Sequence, residues 1–392
     1  MTAENQFRNF FLLRNDITYL NFGSFGACLK PVFEKYQQLQ LELESEPAQF
    51  MTVIGFQYLQ KAREALGNYI NCNADDIVYV TNPSYAVNII ANSFSLSAGD
   101  EILTTDLEYG ACDKAWSYYC QKVGAIFRRQ PISLPLVSKE NFVDEFFKGL
   151  NPKTKMVFIS HITSSTALRL PVEEICKKAK ELGLITFVDG AHAPGHIPID
   201  LQSLQADIYT GACHKWMMTP KGSSFLYVKK ELQHLFDPLI ISWGYDAQPP
   251  FKSHSSFLDY HQIQGTRDFT AFLTIPSAIE FMQQNDWIQV AAKCRHLNEM
   301  NIKHLSDLLH TQPLAPVNDD FYVQMCSTPI KAADPMKLQR LLFEKYHIEI
   351  PIMKHGNQAL IRYSIQAFNS QEDLNKLEGA LVEIQRTTSL IE

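Results

Sequence analysis

The sequence predicts an α/β fold: a mostly parallel, seven-stranded central sheet wound with helices in a large domain, followed by a smaller α+β domain. Three observations lead there. The chain has 392 residues, well beyond one compact domain, so two lobes with substantial cores are expected. Between residues 50 and 230, short β-rich runs alternate with helix-like stretches, the rhythm of a wound sheet. Several runs, MVFIS (156–160) and LITFV (184–188) among them, are apolar on consecutive residues. That pattern fits strands covered by helices on both faces.

In order, the runs are 77–80, 101–104, 125–129, 156–160, 184–188, 208–210 and 225–228. Ligands of such sheets sit beyond the carboxyl ends of strands, so chemistry is sought just after each run. Four polar segments fall there: NPSY (82–85), HITSS (161–165), DGAH (189–192) and GACHK (211–215). Past residue 255 the character changes. A long amphipathic stretch spans about 275–309, and FYVQM (321–325) follows. KLQRLLFEKY (337–346) reads as a helix, IEIPIM (348–353) and ALIRYSIQ (359–366) as extended, and the end from about Gln371 as a last helix. The N-terminal forty or so residues are expected to pack with this part. The division is therefore 45–255 for the large domain, with 1–44 and 256–392 forming the small one.

Composition narrows the function classes. Hydrophobic residues make up 46% and charged residues 20%, ordinary globular usage that excludes a mainly disordered chain. The 35 basic and 42 acidic residues leave a net charge of -7, and no basic stripe is present to follow a phosphate backbone, so nucleic acid is not an expected partner. Eight cysteines show no CxxC pair or framework spacing, so reduced thiols are expected. His and Cys lack ligand spacing, and no metal is expected. Only four apolar residues lie between Arg8 and Arg14, too few for a signal core, and nowhere do eighteen apolar residues run together. A cytoplasmic protein without membrane segments is the expectation.

The most informative stretch is 187–222, FVDGAHAPGHIPIDLQSLQADIYTGACHKWMMTPKG. It puts an acid and a histidine at one strand end, Asp189 and His192, and a lysine, Lys215, after a later strand of the same sheet. Pyridoxal phosphate chemistry needs a lysine amine for a Schiff base and a carboxylate that keeps the pyridine nitrogen protonated. Asp189 and Lys215 suit those roles. Taken singly, each has a plainer reading: a strand-end Asp caps a helix, a lone Lys is a solvated charge, and His192 and His214 are packing or surface histidines.

The length of the pattern changes that balance. Residues 187–222 resemble the cofactor-lysine region of class V aminotransferase-fold enzymes. YLNFGSFGACLKPV (19–32), VTNPSYAVN (80–88), SHITSSTALRLPVEEI (160–175), GTRD (265–268) and IRYSIQAFN (361–369) are similar to the isopenicillin N epimerase-like branch. The resemblance spans nearly the whole chain in consistent order. It implies the fold type I architecture of pyridoxal 5'-phosphate transferases, with Lys215 as the Schiff-base lysine, Asp189 as the pyridinium partner and His192 as a donor near the phenolic oxygen. Ser84 and Tyr85 fall in the loop that cradles phosphate at a helix N-terminus, and His214 is expected to reach the same phosphate. Tyr109 matches the ring stacked over the pyridine and is a candidate acid-base group. Thr163 and Ser164 occupy the segment at the ring oxygen. Arg362, with Asn21, matches the binding of a substrate amino acid's α-carboxylate. Thr266 matches a phosphate ligand donated by a second subunit, which implies a homodimer with shared sites.

The chain also departs from the family pattern. Pro83, Tyr85 and Ala212 stand where smaller or polar phosphate ligands are common, and Ala167 stands where glycine is usual. All reactions of the branch begin alike, with Lys215 displaced by the substrate amine and then taking the α-proton. A persulfide-forming desulfurase needs a cysteine shortly before the carboxylate arginine, and 347–361 contains none. Nothing marks a pocket for the second amino donor of a transaminase. The leading expectation is an amino-acid epimerase or racemase of the isopenicillin N epimerase type. The runner-up is a carbon-sulfur β-lyase, cysteine desulfhydrase or desulfurase-like, and a non-catalytic cofactor-binding protein is a minor alternative.

Overall fold

All seven runs are strands of one sheet. The computed structural model describes residues 7–391; residues 1–6 of the N-terminal segment and residue 392 of the C-terminal one lie outside the described residues. In chain order the strands are β1 (Thr18–Tyr19), β2 (Ile77–Val80), β3 (Glu101–Thr105), β4 (Ile126–Gln130), β5 (Thr154–Ser160), β6 (Ile185–Gly190), β7 (Ile208–Ala212), β8 (Ser224–Val228), β9 (Met325–Ile330), β10 (Ile348–Glu349), β11 (Ile352–His355) and β12 (Gln358–Ser364). The large sheet runs β2-β8-β7-β6-β5-β3-β4. Only β8 is antiparallel to its neighbours.

The consecutive apolar residues are explained by two cores, one on each face. Successive strand side chains point to opposite faces. Val78, Val80, Met156, Phe158, Phe187, Ile208 and Leu226 join one core with the helices Pro83–Ser93 and Gly110–Val123. Ile77, Tyr79, Val157, Ile159, Val188, Tyr209 and Phe225 join the other. The chain goes from β3 outward to β4 and then returns to β5 on the opposite side of β3. Strand order reverses there, so the segments following β3 and β5 diverge and leave a crevice.

A second sheet, β11-β12-β9, is antiparallel. The N-terminal segment pairs with this part: β1 runs parallel to β10, and Leu20 O accepts from Ser364 N at 2.9 Å. The helix Lys30–Ser45 touches the segment Phe272–Gln284, also past residue 255. Two stretches past residue 255 take their bounds from the structure. The stretch 275–309 is two helices, Ile275–Gln284 and Trp287–Leu308, broken where Asp286 takes a left-handed φ of 45°. FYVQM is extended only from Met325, because the Gln324 N-H is drawn off to His196 Nε2 at 2.9 Å. Among the described residues no helix is long and apolar enough to cross a membrane.

Candidate active site

The carboxyl ends of β5, β6 and β7 open into a cavity of about 660 Å³. Asp189 lies in β6 and Lys215 in the turn after β7. Asp189, His192, His214 and Lys215 all line this cavity, together with Ser84, Tyr109 and Ser164. Five other candidates do not line it: Asn21, Tyr85, Thr163, Thr266 and Arg362.

Asp189 is 3% exposed. Its Oδ1 accepts from the Ala191 N-H at 3.0 Å, while Oδ2 has only the Cys112 thiol at 3.4 Å. Burial raises the Asp189 pKa, opposed by the Ala191 N-H, the Cys112 thiol and Lys215. A buried carboxylate oxygen with so weak a donor is matched to an incoming N-H cation. Burial also pushes Lys215 down to about 8, with Arg362 adding to the effect, so a useful fraction of its amine is uncharged near neutral pH. His192 Nε2 lies 3.2 Å from Lys215 Nζ. The Trp216 indole N-H points at His192 Nδ1 at 3.4 Å. Burial holds the His192 pKa well down, and Lys215 adds to the effect. With Nδ1 accepting, the proton of this neutral ring is assigned to Nε2, which makes it a donor toward the cavity. His214 takes the opposite tautomer: its Nδ1-H donates to the Ser223 carbonyl at 2.9 Å, and burial lowers its pKa to about 4, so Nε2 is left toward the cavity as an acceptor.

The helix Pro83–Ser93 starts at the cavity rim. Its N-cap Asn82 accepts from Tyr85 N at 2.9 Å, and Pro83 has no N-H. The Ser84 N-H and hydroxyl are therefore what this turn offers an anion. Tyr85 itself turns away, its hydroxyl donating to Gln264 at 3.0 Å. Thr266 is exposed on the turn beyond Gln264. Tyr109 is 47% exposed at the N-cap of the helix Gly110–Val123.

Arg362 sits on β12, 1% exposed, behind the cavity wall. It donates to the Ser164 carbonyl at 2.6 Å, the Ser164 hydroxyl at 3.3 Å and the Ser24 hydroxyl at 2.6 Å. Its Nε and the Asn21 Oδ1 are buried without partners. These orphaned groups and the two serines mark a polar end opposite Asp189. The Thr163 hydroxyl, by contrast, is used inside its own loop by Thr166 at 2.6 Å. Ala167 holds φ at 58°, the left-handed conformation that glycine adopts without a Cβ clash. The wall above Lys215 comes from Phe22–Phe25, which ends at Gly26 with φ 63°. A Cβ on Gly26 would collide with the His214 carbonyl oxygen and lie 2.7 Å from Lys215 Cα.

One acid at the cavity wall escaped the sequence reading. Glu108, after β3, accepts from Thr105 Oγ1 at 2.7 Å and from Ser160 Oγ at 2.5 Å. Ser160 lines the cavity. The signal was available: Glu108 follows the 101–104 run just as the chosen segments follow theirs. The eight cysteines are all free, with Cys112 and Cys213 buried and Cys28 half-buried.

Comparison with known proteins gives this geometry a context. The family model described as aminotransferase class-V matches residues 28–377. The chain is 31% identical to isopenicillin N epimerase of Amycolatopsis lactamdurans, covering 94% of this chain and 96% of that one. It is 26% identical to L-cysteine desulfhydrase of Arabidopsis thaliana, covering 94% of this chain and 88% of that one. In fold it is similar to the apo cysteine desulfurase of Thermococcus onnurineus NA1, with a TM-score of 0.82, 20% identity and 97% of each chain covered.

Proposed function

Since the chain belongs to the class-V aminotransferase family of pyridoxal 5'-phosphate-dependent enzymes, we propose that it acts at the α-carbon of an amino acid as an epimerase or racemase. The observation that carries this reading is Lys215 and Asp189 in one cavity, with Arg362 buried behind the cavity wall and bonded to the lining residues Ser164 and Ser24. The donor set fits the cofactor: a buried carboxylate lacking a strong donor for the ring nitrogen, an amine with a lowered pKa, and Ser84 at a helix N-terminus for phosphate. When bound, the cofactor supplies an electron sink for the carbanion left by removal of the α-proton. Asp189 would hold the ring nitrogen as a cation. His192 would donate from Nε2, and the Tyr109 ring would cover one face. Lys215 would take the α-proton at Nζ, which its lowered pKa allows near neutral pH, and inversion would need a proton given to the opposite face by a second acid, the role open to Tyr109 at the cavity wall.

Arg362 and Asn21 would hold the substrate carboxylate. Replacing Arg362 by alanine is expected to raise KM by about 10- to 100-fold with a smaller change in kcat. A charged hydrogen bond is worth about 1.5–3 kcal/mol and is made in ground and transition states alike. Steady-state kinetics check this, and an unchanged KM would assign the carboxylate to another group.

The reading includes a soluble, cytoplasmic homodimer. Trp243 at 75% exposure and Ile241 at 66% form an exposed apolar segment, and the Gly265 turn that carries Thr266 lies beside Ser242. Burying such a segment against a second copy would send Thr266 toward that copy's phosphate. It also includes the division into a cofactor-holding domain, 45–255, and a second domain from 1–44 and 256–392.

The second reading, a carbon-sulfur β-lyase, is favoured by similarity to a desulfhydrase along nearly the whole chain. The two are separated by products. Incubation with single enantiomers in deuterated water is expected to place deuterium at the α-position with loss of chirality and no keto acid. Release of pyruvate, ammonia and thiol from cysteine derivatives would decide for the lyase.

A further inference from the structure

Asp189 is not the only carboxyl group in this wall. Ser160, which donates to Glu108 at 2.5 Å, is the register partner of Asp189 across β5 and β6. Glu108, which follows β3, is therefore separated from the ring acid on β6 by one intervening strand, β5. Among the described residues its hydrogen-bond partners are the Thr105 and Ser160 hydroxyls, with no lysine or arginine. The charged or titratable groups that face it are Asp189 on β6 and the Cys112 thiol on the helix Gly110–Val123, with Lys215 beyond them. Asp189 has Lys215 and the Ala191 N-H to favour its charge. When two carboxyls share a buried wall and only one has such help, the proton settles on the other.

We propose that Glu108 is a positioning residue, the proton-holding half of a carboxyl pair with Asp189, whose ionisation sets how firmly the ring nitrogen facing Asp189 is kept cationic. The proposal rests on the reading of Asp189 given above. Burial pushes Glu108 up to about 7, although both hydroxyls favour its charge. Burial, with Asp189 next, pushes the Cys112 thiol up, so it remains a neutral donor. Below neutrality the pair carries one negative charge, on Asp189. Above it the pair carries two, and the second stabilises every nearby cation, the ring nitrogen and Lys215 included.

Glu108→Gln keeps a partner for both hydroxyls and removes the charge. In the protein without added cofactor, pH-difference infrared spectra should show a carboxylic-acid carbonyl band that vanishes near neutrality and is missing in Glu108→Gln. Ser160→Ala, which strips one donor from the ionised form, should move that transition to higher pH. In protein loaded with pyridoxal 5'-phosphate, Glu108→Gln should lower the pH midpoint of the visible absorbance change by about one unit. Absence of the titrating band overturns the proposal whatever the cofactor does, and an unchanged midpoint overturns the coupling. Should Glu108→Gln fail to fold, the unsubstituted protein and Ser160→Ala still decide, since a merely structural Glu108 predicts no band near neutrality. If the band titrates but Asp189→Asn leaves the cofactor spectrum untouched, the Asp189 reading fails and the proton-holding pair stands.

Discussion

Lys215→Ala is expected to lower kcat by at least ~10³-fold and to abolish covalent attachment of the cofactor, while the fold persists. The loss combines the missing nucleophile with the missing base, and general acid-base groups alone contribute about 10²–10⁴-fold. The fold should survive because Lys215 contributes no residue to either sheet core. In the unsubstituted protein, only the uncharged amine would be nucleophilic toward the cofactor. Cofactor uptake should therefore quicken as pH rises through about 8, where Lys215 loses its proton, rather than near the value of an exposed lysine. Absorbance after borohydride treatment reads the attachment directly. Turnover retained by Lys215→Ala would sink the assignment.

Asp189→Asn should cost about 10²–10³-fold in kcat and loosen the cofactor, since a preorganised charge facing developing charge is a large catalytic contribution. The amide preserves the contact to the Ala191 N-H, so the effect isolates the carboxylate's charge. The pH dependence should change as well. With one acid gone, Glu108 has no charged neighbour on β6 and should ionise at lower pH, because Asp189 raises its pKa. Kinetics on protein saturated with cofactor separate lost binding from lost chemistry, and an unchanged kcat there would remove Asp189 from the mechanism.

The large sheet was readable because both of its faces are covered: a strand such as β5 needs apolar residues at every position, a signal that survives without knowledge of its neighbours. Asp189, His192, His214 and Lys215 were readable because strand ends gather them locally. The polar end of the cavity was not. Arg362 meets Ser24 across 338 residues and Ser164 across 198, and no local pattern encodes such meetings; only resemblance pointed at Arg362. Tyr85 was assigned by position in its loop, and the N-cap Asn82 turned out to supply the local order while the phenol faces Gln264. Glu108 and Ser160 lie 52 residues apart, so their pairing emerged only in three dimensions.

The Phe22–Gly26 wall has a consequence for how the molecule is made. Its anchors are Ser364, which accepts from Gly23 N at 3.0 Å, and Arg362 on the same strand. Synthesis delivers this stretch 338 to 341 residues ahead of those anchors, so it waits without them while the central sheet forms behind it. Vectorial synthesis thus makes closure over Lys215 a late folding event, and a nascent chain would not possess a finished pocket until β12 has left the exit tunnel.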